Sequence, residues 1–158
     1  GILYPDNDER AIFFAKGVVE TVKKLNWVPD VIHVHGWMAA LLPVYLKHFY
    51  KDEGIFAETK IISSVYEQGF EGELDAGLLN KILFDNIDKE AINVIEKPSY
   101  ENLMKLSIMH SDAVVVGSEA LSPTLTKFIE SSSKPFLPFA QKDTIKEVYT
   151  SFIKNHLL

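Results

Sequence analysis

The chain has 158 residues, 47% hydrophobic and 24% charged, a balance that suits one folded domain and excludes an intrinsically disordered chain. Its net charge of −6, with Lys and Arg scattered and Lys23-Lys24 the only doublet, argues against a nucleic-acid partner. The absence of cysteine excludes a disulfide framework and thiolate chemistry, and no apolar run approaches the roughly 20 residues that span a bilayer.

These features fit a cytoplasmic protein without a membrane partner. Gly1 to Asp6 lack the basic start of a signal peptide. An α/β domain of this kind normally opens with a strand and a glycine-rich turn, and nothing before Asp8 reads that way. The chain therefore reads as part of a longer polypeptide, a single truncated domain over 1–158.

Ala11, Phe14, Val18, Val22 and Leu25 recur at spacings of three and four and predict a helix from Asp8 to Asn26. Asp6, Asn7 or Asp8 can cap its start, and Lys23 and Lys24 suit its last turn. The β-branched run Val31, Ile32, Val34 predicts a strand from Val31 to His35. It stops at His35-Gly36, and an apolar helical pattern from Trp37 to Tyr50 follows, with Leu42, Tyr45, Leu46 and Phe49 on one face. A buried strand feeding a helix through almost no loop predicts a Rossmann-like parallel sheet with flanking helices. Pro43 breaks the pattern. In a helix interior it removes a backbone bond and presses on the carbonyl of Ala39, costing about 3 kcal/mol, so a kink or irregular first turns are expected.

Lys60 to Tyr66 reads as the second strand. Glu67 to Gly77, with Gly69, Gly72, Gly77 and the acidic Glu67, Glu71, Glu73 and Asp75, reads as a mobile loop. Leu78 to Phe84 predicts a short helix, and Asp85 to Glu96 has no clear period. Ser99 to His110 predicts a helix after Pro98, and the continuously apolar Asp112 to Gly117 predicts a central third strand. Ser122 to Glu130 predicts a helix with Pro123 in its first turn, and Ser131 to Pro135 a linker. Asp143 to Asn155 predicts a last helix that docks through Ile145, Val148, Tyr149 and Phe152. No internal repeat and no second domain are visible.

Ligands of open α/β sheets bind outside the carboxyl ends of the strands. Here those ends are His35-Gly36-Trp37, Tyr66-Glu67-Gln68 and Gly117-Ser118-Glu119. Their mixture of aromatic faces, amides, carboxylates and hydroxyls suits a sugar. Trp37 is placed either to stack on a pyranose or to pack the helix start, and Glu67 either to act as an acid or base or to lie solvated. His33 and His35 share one face of their strand. Zinc needs further ligands that the chain does not offer nearby, so hydrogen bonding in a sheet-helix interface is the better reading and no metal is expected. Val-Gly-Ser-Glu-Ala around Ser118 is not the Gly-x-Ser-x-Gly of a hydrolase, and neither a dinucleotide fingerprint nor a P-loop is present.

Pro29 to Lys47, which begins Pro-Asp-Val-Ile-His-Val-His-Gly-Trp, resembles a segment of the bacterial glycogen and starch synthases. Pro5 to Phe14 and Met104 to Ser122 are similar to other segments of that family, and Pro43 falls where the family has a proline. The resemblance implies half of a GT-B fold, the later part of the N-terminal, acceptor-side domain. It implies transfer of glucose from ADP- or UDP-glucose to the 4-hydroxyl of an α-1,4-glucan, with retention. The α-glucan and the nucleotide sugar are then the partners, and the nucleotide sugar is a substrate, so no cofactor is called for.

Gly36 and Met38 stand where the family has Asp and His, and Tyr66 stands where it has a histidine that contacts the transferred sugar. The family's Lys-x-Gly-Gly loop and its nucleotide-binding domain are not within these 158 residues. His35, Gly36, Trp37, Tyr66, Glu67 and Ser118 are the expected substrate-binding residues, and no catalytic residue is assigned. The other readings are a non-catalytic glucan-binding or regulatory module derived from the synthase domain, and a different GT-B enzyme of the sucrose synthase or lipopolysaccharide glucosyltransferase kind.

Overall fold

A computed structural model describes residues 3–67, 69–141 and 143–158. Four strands, β1 (Val31–His35), β2 (Lys60–Val65), β3 (Ala113–Val116) and β4 (Phe136–Leu137), form one sheet in the order β1-β2-β3-β4. Every neighbouring pair is parallel. His35 lies opposite Ser64, and Val65 opposite Val116, so the carboxyl ends of β1, β2 and β3 finish along one edge. β4 lies where the sequence reads only as chain following a linker. Two residues are too few to show a period.

The strands alternate between two faces, as a period of two requires. Ile61, Val65 and Val114 belong to the larger core, while Ile62, Ala113, Val115 and Leu137 belong to a second, smaller one. The larger core takes helices α1 (Asn7–Lys24), α2 (Leu42–Val44), α3 (Leu78–Leu83), α4 (Lys89–Ile92), α5 (Tyr100–Met109) and α6 (Pro123–Ser131). The smaller core is closed by α7 (Ile145–His156), through Phe152 and the following Leu157. The predicted docking residues Val148 and Tyr149 join it, whereas Ile145 is exposed.

Helix α1 keeps part of the expected stripe inward, with Ala11 buried and Val18 and Val22 against the larger core, but turns its largest apolar residues out. Asp8, Ala11, Ala15 and Val19 are buried, whereas Phe14 and Leu25 of the expected stripe are exposed, as is Phe13. Small side chains let the helix axis lie close to its neighbours, and the large ones are left outside. Asp8 is fully buried and receives Lys81 Nζ at 2.6 Å.

The conflict at Pro43 is resolved by interruption. Trp37–Ala39 form a 3₁₀ turn, the helix restarts at Leu42, and Pro43 falls in its first turn, where a missing N–H costs nothing. The segment then widens to a π-turn over Tyr45–Phe49, with Tyr50 N donating to Tyr45 O at 2.9 Å. Leu42, Tyr45 and Leu46 are buried as expected, and Phe49 is exposed.

The segment 85–96, without period in the sequence, folds as α4 followed by a 3₁₀ turn over Asn93–Glu96. It is held to its surroundings by a histidine pair. His110 Nε2 lies 2.9 Å from Ala91 O, a pure acceptor, so this nitrogen carries the proton. His110 Nδ1 then accepts from His48 Nε2 at 3.3 Å, and both rings are neutral. Burial is the main cause that lowers His110 to about 4, and it lowers His48 as well. On the sheet side of α5, Ser63 Oγ lies 2.6 Å from both Ser107 Oγ and Ser111 Oγ, closing a buried hydroxyl cluster.

Candidate functional site

The edge where three parallel strands finish carries the expected residues, and short hydrogen bonds link its parts. His35, the last residue of β1, places Nδ1 2.8 Å from Tyr66 Oη, just beyond β2. Glu67 N donates to Ser118 Oγ at 3.1 Å, and Gly117 N donates to Val65 O at 2.8 Å. These contacts tie β1 to β2 and β2 to β3 at the carboxyl edge. Burial lowers His35, so its imidazole is neutral near pH 7. Gln68 lies outside the described residues.

Gly36 makes the turn out of β1 with φ 70° and ψ 178°, a region that side chains exclude. A Cβ there would meet no atom within 4 Å, so the requirement comes from the backbone and not from crowding. Gly36→Ala is therefore expected to cost about 1–3 kcal/mol of stability with no clash to relieve, measured by urea denaturation. An unchanged midpoint would show that the turn adopts another conformation.

Trp37 turns beneath the segment after β2. Its indole meets Phe70 edge-on at 5.1 Å between ring centroids, and Phe70 in turn meets Tyr100 at 5.9 Å. Tyr100 Oη donates to the carbonyl of Tyr66 at 2.8 Å, and burial raises its phenol to about 12. Gly69 passes between the rings so closely that a Cβ would lie 2.5 Å from Trp37 Cδ1 and 2.8 Å from Tyr100 Cε2. The loop expected to be mobile is thus anchored. Phe70 and Leu74 are buried, Leu74 N donates to Pro98 O at 3.0 Å, and Glu73 bridges to Ser99.

A cleft of about 540 Å³ opens between this loop and the starts of α5 and α6. That volume lies in the range of small-molecule sites. Carboxylates of Glu67, Glu71 and Glu101, hydroxyls of Ser99 and Ser122, and the edges of Phe70 and Tyr100 line it. Ser99 and Ser122 are the N-caps of α5 and α6, and Ser122 Oγ donates to Glu101 Oε1 at 2.5 Å. Of the six residues expected to bind substrate, Glu67 lines this cleft. His35, Tyr66 and Ser118 join at the strand edge beside it, Gly36 forms the turn and Trp37 supports the loop. The caps are readable as Ser before a helical pattern. Tyr100 and Gly69 carry no such signal, because their roles arise only when α5 approaches β2. Among the described residues no three metal-ligating side chains gather, and no helix is long and apolar enough to cross a membrane.

A family profile described as the starch synthase catalytic domain matches residues 2–131. The chain belongs to that family. Its relatives include the glycogen synthase of Elusimicrobium minutum, 34% identical over 133 residues, with 83% of this chain and 26% of the relative covered. The glycogen synthase of Thermosipho africanus is 33% identical over 129 residues, covering 80% of this chain and 25% of the relative. The chain thus spans about a quarter of the length of these relatives. Among solved structures, the catalytic domain of starch synthase IV from Arabidopsis thaliana, bound to ADP and acarbose, superposes with a TM-score of 0.69 at 18% identity. That match covers 90% of this chain and 32% of the other, and it shows the Rossmann-like fold expected from the β1 segment. Family membership agrees with the resemblance carried by Pro29 to Lys47.

Proposed function

We propose that this chain is the acceptor-side, Rossmann-like domain, over residues 1–158, of a GT-B glycosyltransferase of the glycogen and starch synthase type. The protein transfers glucose from ADP- or UDP-glucose to an α-1,4-glucan in the cytoplasm, without a separate cofactor. The observation that carries this reading is the joined edge of a family member's sheet. His35–Tyr66 and Glu67–Ser118 bring polar groups from three strands together beside a cleft of sugar-compatible size. In this reading Glu67 accepts from sugar hydroxyls, the Tyr66 phenol and Ser118 hydroxyl contribute further hydrogen bonds, and Trp37 and Gly36 shape the wall.

A second reading, a glucan-binding module without transferase activity, is favoured by the state of Tyr66. Its hydroxyl is engaged by His35, and its ring lies where a Cβ on Gly117 would approach to 2.5 Å. A phenol held so does not replace a histidine that contacts the transferred sugar.

Glucose incorporation into glycogen by the full-length protein, from ADP-glucose and from UDP-glucose, separates the two. A synthase incorporates from at least one donor, and Tyr66→Ala lowers the rate by about tenfold or more, the value of one lost hydrogen bond at a site. No incorporation from either donor, with glycogen still co-sedimenting, overturns the transferase reading in favour of the binding module.

A further inference from the structure

Helix α7 lies beyond the family-matched residues, yet it packs on the sheet face that carries His33 and His35. Phe152 and Leu157 bury themselves among Ile62, Ala113, Val115 and Leu137, and Val148, Tyr149 and Ile153 flank them. Tyr149 is the residue of this row that meets polar groups. Its ring centroid is 5.7 Å from that of His33, and burial on this face raises its phenol. Ser64 Oγ lies 2.8 Å from His33 Nε2. The His33 ring lies 4.1 Å from the His35 ring, and His35 holds Tyr66. Contacts therefore run without a gap from α7 to the carboxyl end of β2.

We propose that α7 is an intramolecular strap whose Tyr149 is a positioning residue, holding the Ser64-bonded His33 ring in place and thereby fixing the pose in which His35 meets Tyr66 at the strand-end site. The physical case is one of freedom removed. A half-buried imidazole with solvent on one side samples several rotamers, and ordering it costs free energy each time a ligand binds. With Tyr149 against one side of His33 and Ser64 Oγ on its Nε2, the freedom of the ring is restricted. His35, stacked on it, inherits that order before any ligand arrives. The consequence for binding rests on the glucan reading above, whereas the geometry of the strap does not.

The groups facing His33 are His35 on its own strand, Ser64 of β2 and Tyr149 of α7. Burial, then the nearby His35, lowers His33 to about 4. Removing the covering ring admits water and raises that value. The test is an NMR titration of ring-labelled histidines in the intact protein, with maltoheptaose binding measured by calorimetry on the same samples. In Tyr149→Ala the His33 midpoint is expected to rise from about 4 toward the ordinary imidazole value, the His35 resonances to broaden or shift, and maltoheptaose affinity to fall about threefold to tenfold. Lys146→Ala, exposed on the same helix, is expected to change none of these.

If Tyr149→Ala does not fold, Tyr149→Leu carries the test. It keeps apolar contact with the smaller core but takes the aromatic ring off His33, so the His33 midpoint still rises. Unmoved His33 and His35 signals in a folded variant overturn the strap. If the parent protein binds no maltoheptaose, the glucan reading fails, and the histidine signals alone decide the strap.

Discussion

Between pH 7 and pH 4 the protein is expected to lose about 3 kcal/mol of stability. His33 and His110 are each held near 4 in the folded chain, chiefly by burial, against about 6.5 when unfolded. Over that window the unfolded chain binds protons that the folded chain refuses. Stability is therefore complete above about 6.5 and drains away as the pH falls toward 4. A displacement of this size corresponds to about 3 kcal/mol per group at full strength. Both rings keep some contact with water, which roughly halves it, leaving about 1.5 kcal/mol each.

His110 faces His48, Lys47 and Lys134, all of which disfavour its charged form, and the Ala91 carbonyl, which favours it. His48 in turn faces Asp88 and Lys51. Urea denaturation at pH 7 and 4 reads the difference directly. His110→Gln, whose amide can still donate to Ala91 O, is expected to remove about half of the pH dependence. An equal slope in that variant would show that the pair is not the sensor.

Gly69→Val is expected to destabilise the protein by about 1–3 kcal/mol, the usual cost of forcing extra carbon into a packed region. The new Cβ would sit 2.5 Å from Trp37 Cδ1 and 2.8 Å from Tyr100 Cε2. Neither ring is the free end of a flexible chain, since Trp37 is wedged against Phe70 and Tyr100 is buried and bonded to the Tyr66 carbonyl. Relief requires the loop to lift. Lifting it moves Glu67 and Glu71 away from the cleft, so maltoheptaose affinity falls together with the melting temperature. The informative control is Gly54→Val, at a glycine whose added Cβ meets nothing within 4 Å. A Gly69→Val protein as stable as the control, with unchanged affinity, would remove the loop from the site.

Much of this arrangement is legible in the chain itself. The β-branched run before His35-Gly36 announces a strand and a turn, and alternation places His33 and His35 on one face, where both are found. Pro43 marks an interrupted helix, and the interruption is there. The inward face of α1 is misread at Phe14 and Leu25, because hydropathy ranks them above the buried Ala15. Helix packing distance, which no single residue states, selects the small side chains instead. The segment after Glu67 looks unstructured because its buried apolar residues Phe70 and Leu74 are too few to make a period. The roles of Tyr100 and Gly69 are invisible for a similar reason. They depend on α5 coming close to β2, which are separated in sequence and joined only by the fold.

The sheet order has a kinetic side. Because β1, β2, β3 and β4 run parallel in sequence order, no two of them are joined by a hairpin. Each pairing must wait for a crossover to close, from Gly36 to Thr59, from Tyr66 to Asp112 and from Gly117 to Pro135. Loop closure is unrewarded until the strands meet, so the chain refolds more slowly than a helical bundle of equal length. Docking of α7 is what covers the smaller core. A chain in which α7 is undocked leaves the apolar row of Ile62, Val115 and Leu137 without that cover, a surface of the kind that favours aggregation.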